Sequence, residues 1–155
     1  MPENTCRSTT FLTSLHSFLF SLHSFLTIPR MLSVNLARFE QMVQAEFDAL
    51  PPQFRDKLRN VEIVVKDSPD AYELDLAETD HPDDLLGFYD GIPLTERSFG
   101  YDLTVPDVIY IYRRPHLLEC DTLEQLRDEV GRTLRHEIAH YFGIDDDRLE
   151  ELGAY

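Results

Sequence analysis

The chain has 155 residues, and its 29 Asp and Glu against 14 Lys and Arg give a formal net charge of −15. This length suits one domain that buries a core, and the apolar fraction of 43% is ordinary for a soluble globular protein. A surface this acidic repels phosphate backbones, so we expect no nucleic-acid partner.

The first thirty residues differ in kind from the rest of the chain. They contain a near-duplicated heptapeptide within residues 14–27 and only three charged side chains. Histidines interrupt the apolar stretch and no small-residue cleavage site follows, which disfavours a secretory signal, and residues 11–26 are too short and polar for a membrane span. We therefore predict a disordered or non-native extension over residues 1–30, a natural start at Met31, a domain over residues 31–155 and no membrane association.

The first half of this domain predicts two helical segments and one strand. Apolar spacing from Asn35 to Leu50 indicates a helix whose first residue is the N-cap, and a short helical turn follows between Gln53 and Arg59. The β-branched run Val61–Val65 predicts a strand. From Asp67 to Asp84 the acidic, proline-containing chain predicts a long connection, with a weak strand signal around Tyr72 to Leu76.

Two further strands are predicted in the middle of the chain. Leu85–Tyr89 reads as a short strand that turns at Asp90-Gly91, and Ile92–Tyr101 reads as a loop. Val108–Tyr112 is the clearest strand and is expected to end at Arg113-Arg114-Pro115. The edge of either strand is a candidate for binding an extended peptide by β-addition.

The longest predicted helix follows. Asp121 is its expected N-cap, with Glu124 completing a capping box, and Gly143 is placed to end it in the left-handed conformation. One apolar arc of this helix comprises Leu123, Leu126, Val130, Leu134, Ile138 and Tyr141. A last short helix is predicted over Asp147–Leu152. These elements together indicate an α+β domain.

The end of the long helix carries the residues with metal chemistry. His136 and His140 lie one helical turn apart on one side, so both imidazoles can reach a single ion. Glu137 points near the same cleft and suits a general base acting on water. Gly143 can reverse the chain and return Asp146 as the third ligand of one Zn²⁺, leaving a fourth position open.

The other candidate ligands receive weaker assignments. Asp145 or Asp147 is expected to cap the final helix, and Asp147 is the reserve candidate for the third ligand. His81 and His116 lie beside prolines and are predicted to be ordinary surface residues.

The cysteines and tyrosines receive no chemical role. Cys6 and Cys120 do not look like a disulfide framework and favour a reduced, cytoplasmic setting, with Cys120 a small packed residue. Tyr110, Tyr112 and Tyr141 are expected to pack rather than to polarise a substrate.

Residues 136–146 resemble the zincin metallopeptidases, and in extended form the metzincin pattern HExxHxxGxxH with Asp146 in the place of the last histidine. The chain is more closely similar to a small bacterial family of minimal zincin-like metallopeptidases, through Leu85–Tyr89, Gly91–Arg97, Arg113-Arg114-Pro115 and the HExxHxxGxxD run. The resemblance covers Met31 onward. It implies a minimal zincin-like fold, in which a small mixed β-sheet packs on a long active-site helix with an N-terminal helix nearby.

The same resemblance implies that His136, His140 and Asp146 bind zinc, that Glu137 is the catalytic base, and that the partner is a peptide or protein substrate. No methionine follows His140, and the chain continues for only nine residues after Asp146, so we expect an open, shallow site without a Met-turn. Two alternatives to a peptidase stay open. They are a metal-dependent endoribonuclease, for which the pair Arg113-Arg114 is the only support, and a zinc-binding interaction module with little catalysis.

Overall fold

The computed structural model describes residues 32–97 and 105–152. All of them belong to one compact unit, Met31–Tyr155. The predicted extension over residues 1–30 lies outside the described residues, so that domain boundary stays a prediction.

The described chain forms six helices and three strands. In chain order they are α1 (Leu36–Asp48), α2 (Pro52–Arg55), β1 (Val61–Lys66), α3 (Ala71–Leu76), β2 (Gly87–Asp90), β3 (Asp107–Tyr112), α4 (Arg113–Glu119), α5 (Leu123–Tyr141) and α6 (Asp146–Glu151), with a 3₁₀ turn at Leu94–Glu96 between β2 and β3. The α+β class predicted from the sequence is confirmed.

The three strands form a small mixed sheet in the order β1-β3-β2. β3 is central, because it pairs in parallel with β1, where Ile63 lies opposite Ile109, and antiparallel with β2, where Tyr89 lies opposite Ile109. The interpretation of Val108–Tyr112 as a possible edge for β-addition is therefore wrong, and of the two predicted strands only β2 lies at an edge.

The core lies between one face of this sheet and the helices α1 and α5. Alternation along β3 buries Ile109 and Ile111 completely on that face. The buried apolar stripes of α1 and α5 meet them, and the main members are Phe39, Val43, Leu126, Val130, Leu134 and Ile138. Burial of these side chains fixes α5 across the sheet with its C-terminal half beside β2.

Helix starts account for two differences from the prediction and for one agreement. The segment around Tyr72 to Leu76 is the helix α3 and not a strand, because Asp70 and Glu73 form a capping box. Helix α5 begins one residue later than expected, since Thr122 and Gln125 form its capping box in place of Asp121 and Glu124. Asn35 caps α1 as predicted and accepts a hydrogen bond from the Arg38 N–H at 2.9 Å.

The largest difference between the prediction and the structure lies at the end of β3. Arg113-Arg114-Pro115 does not close the strand in a loop but begins the helix α4, where proline is tolerated in the first turn. His116 is consequently buried with 0% exposure, so its prediction as a surface residue is wrong. Its Nδ1 lies 2.7 Å from the Tyr112 carbonyl oxygen and its Nε2 lies 3.1 Å from Thr133 Oγ1.

Among the described residues, no helix combines the length and the apolar character needed to cross a bilayer.

Candidate active site

The two histidines of α5 and one aspartate converge at the C-terminal end of the helix. The Nε2 atoms of His136 and His140 lie 2.9 Å apart. Asp146 Oδ1 lies 3.2 Å from His136 Nε2 and 3.4 Å from His140 Nε2. Ligand atoms held at about 2.0 to 2.1 Å from a tetrahedral zinc ion lie about 3.3 Å from one another. The donor set of two imidazole nitrogens and one carboxylate oxygen, at these separations, fits a zinc ion.

The turn after α5 decides which aspartate reaches the histidines. Gly143 has a φ of +83°, a left-handed conformation that ends the helix. Asp145 then caps α6, accepting a hydrogen bond from the Arg148 N–H at 2.9 Å. Asp146 joins the histidines in the only three-residue group of potential metal ligands found among the described residues, and Asp147 lies outside that group.

A backbone carbonyl orients His140. His140 Nδ1 lies 3.0 Å from the Ile144 carbonyl oxygen, which can only accept a hydrogen bond. The proton of the neutral imidazole therefore belongs on Nδ1, and the Nε2 lone pair faces Asp146 and His136. The sequence alone does not reveal this partner, because the Ile144 carbonyl reaches His140 only through the turn at Gly143.

Glu137 is the buried acid of the site, with an exposed fraction of 6%. Burial is the main cause that raises the pKa of Glu137 to about 8, and the charge of Asp146 adds to it. The backbone N–H of Tyr89 acts in the opposite direction, because its hydrogen bond to the Glu137 carboxyl favours the ionised form. Burial and the neighbouring charge of His140 also lower the pKa of His136, which favours the neutral imidazole that ligates metals.

The strand β2 closes the site from the other side. A Cβ placed on Gly87 would lie 2.6 Å from Thr133 Cγ2 and 3.0 Å from both Cγ and Oε1 of Glu137. Only a residue without a side chain lets β2 approach α5 this closely. Neither Gly87 nor Tyr89 had been assigned a role from the sequence, because only the folded sheet brings them beside Glu137.

The loop that follows β2 passes beneath the end of α5. A Cβ on Gly143 would collide with Thr95 of this loop. Arg97 anchors the loop through an ion pair with the buried Asp107, and Tyr89 Oη donates to the same carboxylate at 2.9 Å. The Arg97 guanidinium also lies 4.7 Å from the ring centroid of Tyr141. These contacts tie β2, β3 and the residue after His140 into one unit.

The remaining candidate residues are not part of the group of potential metal ligands. The side chain of His81 is 63% exposed, as expected for a surface residue. Cys120 is buried, as predicted for a packed residue. Tyr141 is fully buried, and its hydroxyl accepts from the Arg59 N–H at 3.0 Å, so its role is structural.

We compared the chain with known protein families and with curated proteins. The model of the zincin-like metallopeptidase family matches residues 58–154, which span β1 to α6 and contain every residue of the site described above. No curated protein matches the chain. The match covers more than half of the sequence, and the chain belongs to the zincin-like metallopeptidase family.

Proposed function

We propose that the protein hydrolyses peptide bonds with one zinc ion held by His136, His140 and Asp146 and with Glu137 as the general base. The observation that carries this proposal is the triangle of ligand atoms, with edges of 2.9, 3.2 and 3.4 Å, directly beside a buried carboxyl group. A zinc ion bound there would lower the pKa of a water molecule and polarise the carbonyl group of the scissile bond.

Glu137 is suited to move the proton in this reaction. It takes a proton from the attacking water and delivers it to the nitrogen of the departing amine, which requires a carboxyl group that changes protonation state near neutral pH. In the metal-free protein, burial raises the pKa of Glu137 above its ordinary value, which is the direction that this role requires. The backbone N–H of Tyr89 favours the ionised form of the Glu137 carboxyl group, which is the form that accepts a proton.

The edge of β2 is suited to hold an extended peptide. Tyr112 N donates to the Leu86 carbonyl at 2.9 Å, and the register places Phe88 opposite Tyr110. Because hydrogen bonding alternates along an antiparallel pair, the N–H and C=O groups of Gly87 and Tyr89 point away from β3. The Tyr89 N–H is used by Glu137, and the other groups remain for β-addition of substrate next to the histidines.

The RNA-cleaving alternative loses its local support. Arg113 pairs with Asp67 at 2.5 Å, and Arg114 pairs with Asp83 at 3.1 Å. This arginine pair therefore adds little net positive charge to a chain whose formal charge is −15. The binding-module alternative has to explain why a carboxyl group is buried beside the ligands, since burying it costs stability and such perturbed groups are typical of catalytic sites.

One screen separates the three functions. Zinc-loaded protein is incubated with a mixed peptide library and, separately, with a mixed-sequence RNA. We expect peptide cleavage that a chelator stops and that added zinc restores, with intact RNA. Cleavage of RNA, or no turnover of either polymer, would contradict the proposal. The cytoplasmic location and the peptide or protein partner stay predictions from the sequence.

A further inference from the structure

A cavity of about 310 Å³ opens beside the candidate active site. One wall of this cavity is a stripe of α5 that consists of Glu129, Arg132, Thr133, His136 and Glu137. Residues spaced by three and four positions share one side of a helix. The cavity therefore begins at the proposed zinc ligands and runs along α5 toward its N-terminus.

The middle of the cavity is lined by apolar groups. Thr133 places its hydroxyl 3.1 Å from His116 Nε2, and its methyl group packs directly against Gly87, so that these two residues form the floor of the cavity where α5 meets β2. Leu86 continues the opposite wall. An alkyl chain can occupy this part without leaving a polar group unsatisfied.

The far end of the cavity carries the charges. Glu129 and Arg132 form an ion pair with each other, in which the side chain of Glu129 is 17% exposed. Asp84 also lines the cavity, and no cation in the described part of the chain forms an ion pair with it. We place Asp84 toward the far end, because the chain runs from Asp84 through Gly87, which contacts Thr133, to Tyr89, which lies at Glu137. Since Arg132 offsets only one of the two carboxylates, the far end has a net negative charge.

The distances along α5 favour a long ligand. At a rise of about 1.5 Å per residue, Arg132 lies roughly 6 Å and Glu129 roughly 10 Å along the helix axis from His136. A short substrate side chain that enters beside the zinc ligands ends within the apolar middle. Only a long side chain reaches the carboxylates.

We propose that this cavity selects a peptide substrate with lysine or arginine next to the scissile bond, whose charged end binds the carboxylates of Asp84 and Glu129. The proposal rests on the proposed peptidase function and deepens it. An acidic side chain is disfavoured, because it meets Asp84 and can bind Arg132 only by separating it from Glu129. The formal charge of −15 also attracts cationic peptides.

The test uses peptides that are identical except for the residues flanking the scissile bond, which are lysine, leucine or glutamate on either side in turn. With zinc-loaded protein we expect kcat/KM for the lysine peptide to exceed that for the leucine peptide by about 10-fold and that for the glutamate peptide by about 100-fold, on at least one side. Equal values for lysine and leucine on both sides, or a preference for glutamate, would overturn the proposal.

Variants at the far end of the cavity identify the residues that cause the preference for lysine. Glu129→Gln frees Arg132 and should shift the preference toward glutamate, whereas Arg132→Gln should strengthen the preference for lysine. Asp84→Asn should reduce the difference in kcat/KM between the lysine peptide and the leucine peptide. The matched control is Asp128→Asn, an exposed carboxylate on α5 that does not line the cavity. A preference that survives Asp84→Asn combined with Glu129→Gln would contradict the assignment.

A binding measurement separates this inference from the peptidase proposal. The dissociation constants of the same peptides, labelled with a fluorophore, are measured by anisotropy on zinc-loaded Glu137→Gln protein. Tighter binding of the lysine peptide without cleavage by the wild type would support the cavity and contradict the peptidase function. Cleavage without a preference for lysine would contradict only the proposed role of the cavity. The absence of both binding and cleavage would contradict the cavity proposal and the peptidase proposal together.

Discussion

The two sides of the site reach their positions in different ways. His136, Glu137 and His140 lie within one turn and a half of a single helix, so their separation follows from helical geometry alone. Gly87 and Tyr89 belong to β2 and meet Glu137 only because the core holds α5 across the sheet. The helix side supplies the metal ligands, and the strand side supplies the surroundings of the base.

Because of this difference, zinc affinity and turnover should respond to different variants, which activity measurements alone would not distinguish. Zinc affinity should depend on the helix side and on the turn that returns Asp146. Turnover at a given zinc content should depend also on the strand side, since β2 holds the carboxyl of Glu137. Variants of the two sides should therefore fall into two classes.

The largest effect is expected from His140→Ala. This change removes a ligand, so zinc affinity should fall by more than the roughly 10- to 100-fold that loss of an outer-shell partner costs. Zinc titration against a competing chelator measures the effect. His81→Ala is the matched control, because that histidine is exposed and distant from the ligands. Unchanged zinc affinity in His140→Ala would exclude this site.

The same titration decides which aspartate is the third ligand. We expect Asp146→Ala to weaken zinc binding and Asp147→Ala to leave it near the wild-type value, because only Asp146 lies within 3.4 Å of both histidine Nε2 atoms. The reverse order of the two variants would assign the ligand to Asp147.

Gly87→Ala tests the strand side. The new Cβ would meet Thr133 Cγ2 and Glu137, so the base should move while the ligands stay. Since a misplacement of about 1 Å can cost roughly 100-fold in rate, we expect a 10- to 100-fold loss of kcat/KM with unchanged zinc content. Adding Thr133→Ser removes the methyl group, keeps a hydroxyl for His116 and should recover part of the activity. Wild-type activity in Gly87→Ala would show that the close approach has no role.

Gly143→Ala tests the turn between the two histidines and Asp146. An alanine at a φ of +83° costs about 1 to 2 kcal/mol, and the Cβ also collides with Thr95. We expect a lower Tm and a smaller increase of Tm on adding zinc. Gly131→Ala in the middle of α5 is the matched control, because its Cβ would meet only the ends of flexible side chains. An equal response of the two variants would contradict the role of the turn.

The smallest effect concerns His116, which lies under the cavity. Burial lowers the pKa of His116 below its ordinary value of 6.5. Below pH 6.5 the unfolded chain binds a proton at this histidine that the folded chain does not bind. The free energy of unfolding therefore decreases as the pH is lowered, by up to about 1.4 kcal/mol per pH unit. In zinc-free protein, His116→Asn should reduce this slope between pH 6.5 and 5. Parallel slopes in urea unfolding would contradict the shift.

The sequence predicted correctly those elements whose formation depends on residues close to one another in the chain. The spacing of α1, the β-branched composition of β1 and β3, and the placement of Gly143 all follow from interactions within a few residues, and the structure agrees with them. The metal ligands belong to this class, since His136, His140 and Asp146 lie within eleven consecutive residues. Their convergence in the structure agrees with the prediction, and their role is tested by the zinc titrations.

Long-range packing accounts for what the sequence did not reveal. The pattern Asp70-x-x-Glu73 was present, but the acidic, proline-containing stretch around it was interpreted as a connection, so α3 was missed. His116 looked like a loop residue because its partner Thr133 lies on α5, in contact only after folding. The approach of Gly87 to Glu137 likewise needs the sheet and the helix together.

The most direct test of the account is peptide cleavage by zinc-loaded Glu137→Gln protein. This change keeps the shape of the side chain and removes its ability to accept a proton. The account predicts wild-type zinc content, an unchanged fold by circular dichroism, and a loss of cleavage of roughly 100- to 10,000-fold. Cleavage at the wild-type rate with zinc bound would contradict the assignment of Glu137 as the base.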